Sequence, residues 1–423
     1  MPSRPEDLLQ AGPLPPVVVL NTHYSGLAIA RDLGAFGVRV IGLSANRHFA
    51  GNRSRWLEFQ LAPDSLESPA GLLSYLLNLA QTLGAKPVLF PTRDHDVHFI
   101  NAHRAQLEPE FRIPFSSPVV IERIMNKQRC REAALACGVR VPAAVTVRSS
   151  GDLSDARALR FPCVCKPLSA SQWRKPGIWQ AVGGRKVIAV DSHDELKQRY
   201  AEFAALDPVV TIEERIAGPE ENLQVFGSVA RHDSSVAAFF TARKLLQYPP
   251  LLGTGIVVEA RPLPDIIDPS LDLLRELGHF GLSEIEYKIG EHDGQPYLIE
   301  INPRHWDQHG LGTAVGVNLS EAAYRLAVGL PVRAMKQRDE HVRWVADVDF
   351  ALHLVRGLAG KAPLAHAISI VRGRRQFAIF DRHDIAPAAV ALRTIAVILV
   401  VAAKHKLMTW IRQRRRARLK AKA

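Results

Sequence analysis

The sequence predicts an α/β protein whose first part contains a parallel sheet and whose second part mixes helices with antiparallel strands. Its 423 residues are enough for two to three domains with a large buried core. Apolar runs such as Val17–Leu20 and 38–43 alternate with segments of helical periodicity, which favours parallel strands joined by right-handed crossovers. Three later runs, at 223–229, 236–243 and 256–259, follow one another without a helix, which predicts antiparallel pairing.

The composition excludes several classes of protein. With 47% hydrophobic and 23% charged residues, the chain is neither collagen-like nor fully disordered, and four cysteines are too few for a disulfide scaffold. Cys163 and Cys165 flank Val164 in an apolar stretch, so we expect buried, reduced thiols rather than a zinc site. Residues 1–16 contain no apolar core of signal-peptide length, which predicts a cytoplasmic protein.

The net charge of +12 is concentrated at the C-terminus. Residues 385–423 contain ten Lys and Arg and no Asp or Glu, so residues 1–384 carry a net charge of +2. No nucleic-acid-binding motif is present, and we expect no nucleic-acid partner. The apolar run 394–403 is too short to span a bilayer, whereas a longer span would bury Arg393. The tail therefore predicts peripheral binding to the cytoplasmic membrane face, or else a helix docked on the protein with a solvated basic end.

These patterns divide the chain into four segments. We expect a Rossmann-like domain over residues 1–122, a second domain over 123–331, a C-terminal extension over 332–384 and an apolar, basic helical tail over 385–423. Only Gly26 lies in the first strand-to-helix turn, where a dinucleotide fingerprint would place three glycines. The sequence therefore disfavours NAD or FAD binding.

The strongest pattern is a hairpin of two strands, 283–289 and 296–302, joined by a turn at 291–294. Alternation along each strand predicts two polar faces, one with Glu284, Glu286 and Lys288 and one with Leu298, Glu300 and Asn302.

Carboxylate and amide oxygens on adjacent strands are typical ligands of a hard cation such as Mg²⁺. We call this set of carboxylate and amide oxygens the cage. Arg304 follows the second strand and would place a base beside the cage, which suits an anionic substrate. The alternative is that these polar residues face solvent.

Three further features lie upstream of the hairpin. Lys127 and Lys166 are about one domain segment apart, and Lys166 ends an apolar strand. The acidic turn 213–221 offers carboxylates for ribose hydroxyls and backbone groups for a base edge. Taken singly, each lysine is more often a surface or structural residue, and such a turn is more often solvated.

The order of these features resembles the ATP-grasp superfamily over residues 16–330, from Lys127 through Lys166 to Glu286 and the run Glu300-Ile-Asn-Pro-Arg304. The stretch 244–255 is similar to the carboxylate–amine ligase branch that includes D-aspartate ligases. The resemblance implies an ATP-grasp fold over 123–331, α+β in its ATP-binding part, behind a Rossmann-like domain.

The resemblance also implies roles for individual residues. Lys127, Lys166, Ser169 and Ser171 would contact the ATP phosphates; Glu213, Glu214 and Ile216 would line the adenine; Glu220 or Glu221 would bind ribose. Glu286, Glu300 and Asn302 would hold two Mg²⁺ ions, with Mn²⁺ as a substitute. Arg304 would steady the acyl phosphate or the carboxylate, and Lys244 and Arg243 would contact phosphate or substrate. The segment 168–177 departs from the usual glycine- and serine-rich phosphate loop because it contains Trp173 and a basic pair.

The implied reaction is ADP-forming ligation of a small carboxylate to an amine. Two alternatives remain open at this stage: a membrane-associated ATP-binding module without turnover, and phosphorylation without amide formation. Two groups of polar residues are candidate substrate contacts, the first in the turn after the first strand and the second after Arg304: Asn21, His23, Tyr24, Ser25; His305, Asp307, His309.

Overall fold

The computed structural model describes residues 14–169, 172–175, 177–249, 253–358 and 364–420, and it begins with a four-stranded parallel sheet. The strand order is β3-β2-β1-β4, with β1 at Val17–Leu20, β2 at Val40–Ser44, β3 at Glu58–Leu61 and β4 at Val88–Phe90. Strand β1 is wholly apolar and fully buried, as expected for a parallel strand covered on both faces. The helices of this part are α1 (Tyr24–Gly34), α2 (Pro69–Thr82), α3 (Asp94–Ala102) and α4 (Arg104–Leu107).

A smaller antiparallel sheet follows two helices, α5 (Pro118–Met125) and α6 (Lys127–Ala136). Its order is β5-β8-β6-β7, with strands Ala144–Val147 (β5), Cys163–Pro167 (β6), Ile188–Val190 (β7) and Val210–Glu214 (β8). Cys163 and Cys165 point into the apolar core of this sheet and are free thiols, which confirms the predicted buried cysteines. Helices α7 (Ile178–Ala181) and α8 (His193–Phe203) complete this part.

The largest sheet has seven strands in the order β13-β12-β9-β10-β11-β14-β15. The strands are Leu223–Ala230 (β9), Val236–Tyr248 (β10), Thr254–Ala260 (β11), Gly281–Ile289 (β12), Pro296–Asn302 (β13), Arg343–Val345 (β14) and Arg375–Phe377 (β15). Only the pair β14–β15 is parallel within the described sheet. A parallel sheet followed by antiparallel sheets confirms the predicted α/β class with an α+β second part.

The helices around this sheet are α9 (Ile267–Leu277), α10 (Gly310–Ala314), α11 (Leu319–Ala327), α12 (Asp347–Leu358) and α13 (Leu364–Ile370). Strands β14 and β15 belong to the segment 332–384, which the sequence predicted as a separate extension. In the structure they continue the edge of the large sheet beside β11.

The hairpin β12–β13 pairs Glu284 with Asn302 and Glu286 with Glu300. A register shift after Glu286 then sets Tyr287 opposite Leu298. Leu298 therefore lies in the apolar core with Tyr287, and its expected place on the polar face is wrong.

One glycine shapes the surroundings of this hairpin. Gly227 of β9 lies opposite Glu284, and a Cβ atom there would come within 2.5 Å of the Trp306 ring. The missing side chain lets Trp306 pack flat against the sheet, where it stacks on Phe240 with 6.1 Å between ring centroids. This packing holds the segment after Arg304 over the strands.

The tail is one helix, α14 (Ala386–Lys420). Ala388 and Ala391 are buried at its start, where the helix packs against α12 and residues 50–53. Leu392, Val397 and Val400 are each more than half exposed. None of the described helices is sufficiently long and apolar to cross a membrane.

Candidate active site

A cleft of about 760 Å³ lies where the two antiparallel sheets meet the carboxyl edge of the parallel sheet. Strands of both antiparallel sheets and the segments that follow β1 and β4 line it, and its residues include Lys127, Lys166, Glu286, Glu300 and Arg304. Its volume is in the range of small-molecule and cofactor sites. The cleft thus collects residues that are up to 287 positions apart in the sequence, from Asn21 to Gln308.

Local structure directs two lysines into this cleft. Lys127 is the first residue of α6, and the Asn126 side chain caps that helix by accepting hydrogen bonds from two backbone N–H groups. Lys166 alternates with Cys165 on β6, so its side chain lies on the face opposite the thiols. Both ammonium groups therefore emerge at positions fixed by secondary structure.

Three lysine–carboxylate pairs organise the site. Lys127 Nζ lies 3.2 Å from Glu300 Oε2, and Lys166 Nζ lies 2.9 Å from Glu213 Oε1. Lys244 Nζ lies 2.6 Å from Glu286 Oε1, and these two side chains are only 6% and 11% exposed. Burial of such charges requires pairing, so these cations and carboxylates must be held together until a ligand exchanges with them.

The electrostatic field differs sharply between neighbouring carboxyl groups. Burial raises the pKa of Glu300, but Lys127, Lys244 and Lys166 outweigh it and hold that pKa well below its ordinary range. Burial and the adjacent Glu286 raise the pKa of Glu284 to about 8. Glu300 is therefore ionised at neutral pH, whereas Glu284 retains its proton.

Arg304 connects the cage with the N-terminal sheet. Its Nε donates to Asp94 Oδ1 at 2.5 Å, and one Nη donates to Asn302 Oδ1 at 3.2 Å. Although burial opposes the charge, Asp94 raises the pKa of the guanidinium further. Arg304 therefore stays charged at the junction of the two parts.

The predicted metal ligands lie together on the β12–β13 hairpin. Asn302 Nδ2 donates to Glu284 Oε2 at 2.9 Å and approaches Glu300 Oε1 at 3.3 Å. Within the described part of the chain, no three His, Cys, Asp or Glu side chains group so that they alone could hold a metal ion. Mg²⁺ usually takes one or two protein carboxylates and completes its shell with phosphate and water, so this oxygen set fits Mg²⁺ bound together with a nucleotide.

The acidic turn lies at the other end of the cleft. Lys288 donates to the carbonyls of Gly218 and Pro219, which anchors the turn to β12. Glu220 accepts a hydrogen bond from the Gln247 backbone N–H at 2.6 Å and lines the cleft. Glu221 instead lies 3.8 Å from His366, so Glu220 is the better placed of the two ribose candidates.

Glu213, Glu214 and Ile216 all line the cleft, as the adenine role requires. Glu214 is also held from outside, since its carboxylate accepts the Arg160 backbone N–H at 2.8 Å.

The structure moves Arg243 away from the site. Arg243 Nη2 pairs with Glu259 at 2.9 Å, and Arg343 pairs with the same carboxylate at 3.0 Å. Because side chains alternate along β10, Arg243 faces away from the cleft that Lys244 enters, so the structure does not bring Arg243 to the predicted phosphate or substrate contact.

Of the two serine candidates for the phosphate contact, Ser169 lies among the described residues and Ser171 does not. Ser169 Oγ lies 3.2 Å from His98 Nε2. Trp173 is fully buried and its Nε1 donates to Asp207 at 3.1 Å. This anchor gives a physical reason for the unusual loop sequence, because the indole fixes the loop in the core of the small sheet.

Sequence reasoning missed three residues of the site: Arg174, Lys186 and Asp94. Burial lowers the pKa of Lys186, and the nearby Arg174 guanidinium lowers it further. The basic pair 174–175 was a visible signal for Arg174, whereas nothing local marks Lys186. His305 and His309, expected as pocket residues, are buried in the core instead.

Comparison with known proteins agrees with this architecture. Residues 258–335 match the family described as carbamoyl-phosphate synthase L chain, ATP binding domain. The carbamoyl phosphate synthase large chain of Rubrobacter xylanophilus is 26% identical over 223 residues, which are 49% of this chain and 20% of that protein. The chain thus spans about a fifth of the length of this relative.

Two solved structures share the fold. The L-amino acid ligase from Bacillus licheniformis superposes with a TM-score of 0.55 at 15% identity, over 74% of each chain. The biotin carboxylase domain of Hydrogenobacter thermophilus 2-oxoglutarate carboxylase, solved with MgADP, ADP and bicarbonate, superposes with a TM-score of 0.59 at 17% identity, over 77% of this chain and 72% of the other.

The sheets that form the cleft therefore have an ATP-grasp-like fold, and residues 258–335 within them match an ATP-binding domain family.

Proposed function

We propose that this protein is an ATP- and Mg²⁺-dependent ligase that joins a carboxylate to an amine and forms ADP and phosphate. The observation that supports this proposal most strongly is that Lys127, Lys166 and Arg304 line the same cleft as the oxygens of Glu286, Glu300 and Asn302. The likeness to an L-amino acid ligase supports the amide-forming branch, and that to a domain crystallised with MgADP supports the nucleotide and the ion.

The reaction needs activation because a carboxylate is a poor electrophile. One carboxylate oxygen attacks the γ-phosphorus of ATP, the bond to ADP breaks, and a mixed anhydride forms. The amine then attacks the acyl carbon, phosphate leaves and the nitrogen loses its extra protons. The net products of carboxylate, ammonium and ATP are amide, ADP, phosphate and one proton.

The cationic side chains stabilise this phosphoryl transfer. Lys127 and Lys166 would hold the phosphates, and their exchange from Glu300 and Glu213 to phosphate oxygens keeps each charge paired. Lys186, whose pKa is lowered by burial, gains an anionic partner when phosphate binds. Glu286, Glu300 and Asn302 would hold Mg²⁺, which neutralises charge on the transferred group.

Arg304 is placed to bind the carboxylate substrate or its acyl phosphate. Its guanidinium is fixed by Asp94 on one side and Asn302 on the other, so it can present a preorganised charge next to the cage. The cleft also has to exclude water, because water would hydrolyse the anhydride.

The test is a substrate panel with the full-length protein, ATP and Mg²⁺. Amino acids of both configurations, hydroxy acids and bicarbonate serve as carboxylates, and amino acids and ammonium serve as amines. We expect release of ADP and phosphate that requires both a carboxylate and an amine. ATP binding without release would favour a nucleotide-binding module, and phosphate retained on the product would favour phosphorylation alone.

We also propose that α14 attaches the protein to an anionic membrane surface. Apolar side chains are exposed on several faces of the helix, including Leu392, Val397, Leu399 and Val400, and such a helix is stable only against another apolar phase. The surrounding segment 385–423 has ten bases and no acid, which complements anionic lipid headgroups.

Vesicle flotation tests this attachment. The protein should float with vesicles that contain phosphatidylglycerol and much less with pure phosphatidylcholine, and salt should weaken the binding. Leu399→Ser/Val400→Ser should reduce flotation, whereas an exposed substitution outside the tail, Asp339→Asn, should not. Equal flotation of the tail variant, or concentration-dependent oligomers that disappear in it, would contradict a lipid partner.

A further inference from the structure

The carboxyl edge of the N-terminal sheet forms a crevice at the boundary of the cleft. Strand β1 lies between β2 and β4, because the chain passes from β1 to β2 and β3 on one side and then crosses to β4 on the other side. Open parallel sheets bind ligands at such a switch point. Here it is formed by the turn 21–25 after β1 and the turn 91–95 after β4.

This crevice opens directly onto the segment that follows the metal cage. Ser25 Oγ donates to Asp307 Oδ1 at 3.0 Å, which ties the first residues of α1 to the segment after Arg304. Asn21, His23, Ser25 and Asp307 all line the same cleft as the cage. Three members of the first group of candidate substrate contacts and Asp307 of the second therefore meet at one place.

The Asp307 carboxylate lacks a basic partner in the described structure. No described Lys or Arg nitrogen lies within 4.0 Å of its carboxylate, and Ser25 is the hydrogen-bond donor to it. Two of the cations that line the cleft are engaged elsewhere: Arg93 pairs with Asp64 and Asp96, each at 2.8 Å, and Arg304 pairs with Asp94. A half-buried carboxylate in this state favours a cationic ligand.

Asn21 adds an independent observation at the same crevice. Its side chain is 9% exposed, and its Oδ1 accepts no hydrogen bond from the described residues. Its backbone φ of 71° lies in the left-handed region, and a Cβ on Gly26 would come within 2.1 Å of the Asn21 carbonyl oxygen. The turn is therefore fixed, and the unpaired oxygen is part of its built geometry.

We propose that this crevice binds the ammonium group of the amine substrate, with Asp307 as its ion-pair partner and Asn21 Oδ1 as a second acceptor. A primary ammonium has three donors and no acceptor, which matches a pocket rich in acceptors. The bound amine would lie in the same cleft as Arg304 and the cage. This inference rests on the proposed ligase function.

The experiment compares two nucleophiles of different charge in the full-length protein. At about pH 7.5, ammonium, glycine and alanine carry a cationic nitrogen, whereas hydroxylamine is neutral and converts an acyl phosphate to a hydroxamate. We expect Asp307→Asn to raise the KM for the cationic amines about 10- to 100-fold, as for loss of a charge-assisted hydrogen bond. Its KM for hydroxylamine should change less than about twofold, and its KM for ATP likewise.

Matched variants keep the result interpretable. Asp307→Glu should restore part of the affinity for cationic amines, and Asp339→Asn should behave as wild type. Asn21→Gly keeps the left-handed backbone while removing the acceptor, so it should raise the same KM about three- to tenfold even if Asp307→Asn does not fold.

Equal effects on both nucleophiles would overturn the ammonium site, and so would wild-type turnover of hydroxylamine with none of the cationic amines. Absence of hydroxamate from the wild type with every carboxylate of the panel would instead overturn the proposed ligase function itself.

Discussion

Substitution of Glu286 by Gln tests whether neighbouring carboxyl groups share the charge that neutralises Lys244. Lys244 and Glu286 form a 2.6 Å pair that is almost completely buried. Loss of one partner from a buried pair typically costs about 3–5 kcal/mol, because the other charge is left unpaired. Glu284, however, has a pKa of about 8 and is only about one-tenth ionised at pH 7.

Glu286 is the second largest cause of that raised pKa, after burial. With Gln at 286, the pKa of Glu284 should fall, and its carboxylate can replace the lost charge beside Lys244. We therefore expect Glu286→Gln to lower the free energy of unfolding by about 1–2 kcal/mol, and Glu284→Gln/Glu286→Gln to lower it by the full ~3–5 kcal/mol.

Urea unfolding at pH 7, without nucleotide or Mg²⁺, measures both values. The single variant should still lose ligase activity, because a magnesium ligand is gone. If the single and double variants were equally destabilised, Glu284 would not replace the charge lost at position 286, and the expected fall in the pKa of Glu284 would be refuted.

Three further outcomes follow from the site. Lys166→Ala should raise the KM for ATP about 10- to 100-fold in a nucleotide titration and leave Glu213 unpaired; an unchanged KM would remove Lys166 from the phosphate site. Asp94→Asn should raise the KM for the carboxylate about tenfold by loosening Arg304, and Asp94→Glu should recover part of it; equal kcat losses in both would indicate a general structural defect. The raised pKa of Glu284 means that its contribution to stability is complete below pH 4.5 and is lost as pH rises to about 8; the urea midpoint of the wild type should therefore fall more steeply across this range than that of Glu284→Gln, and parallel profiles would contradict the raised pKa.

Much of the prediction of the hairpin site depended on the alternation of side chains along each strand. It placed Glu284, Glu286, Glu300 and Asn302 together because a hairpin brings one face of each strand to the same side. It failed at Leu298, since a bulge shifts the register by one residue and no local sequence signal marks that shift.

Non-local contacts explain most of what the sequence did not predict. Arg243 and Lys244 are adjacent bases, and only the pairing of β10 with β11 decides that Arg243 meets Glu259 while Lys244 enters the cleft. Lys186 and Asp94 reach the site from the small sheet and the N-terminal sheet, and each position depends on how separate layers pack. Such packing is not encoded in any short pattern.

Transfer of oxygen from the carboxylate to phosphate tests the central claim most directly. With a carboxylate labelled by ¹⁸O in both oxygens, the attack on ATP places one labelled oxygen on phosphorus, and later release of phosphate retains it. Mass spectrometry of the released phosphate should therefore show one ¹⁸O atom per turnover, dependent on Mg²⁺ and lost in Glu300→Ala. Unlabelled phosphate accompanied by amide formation would contradict the acyl phosphate.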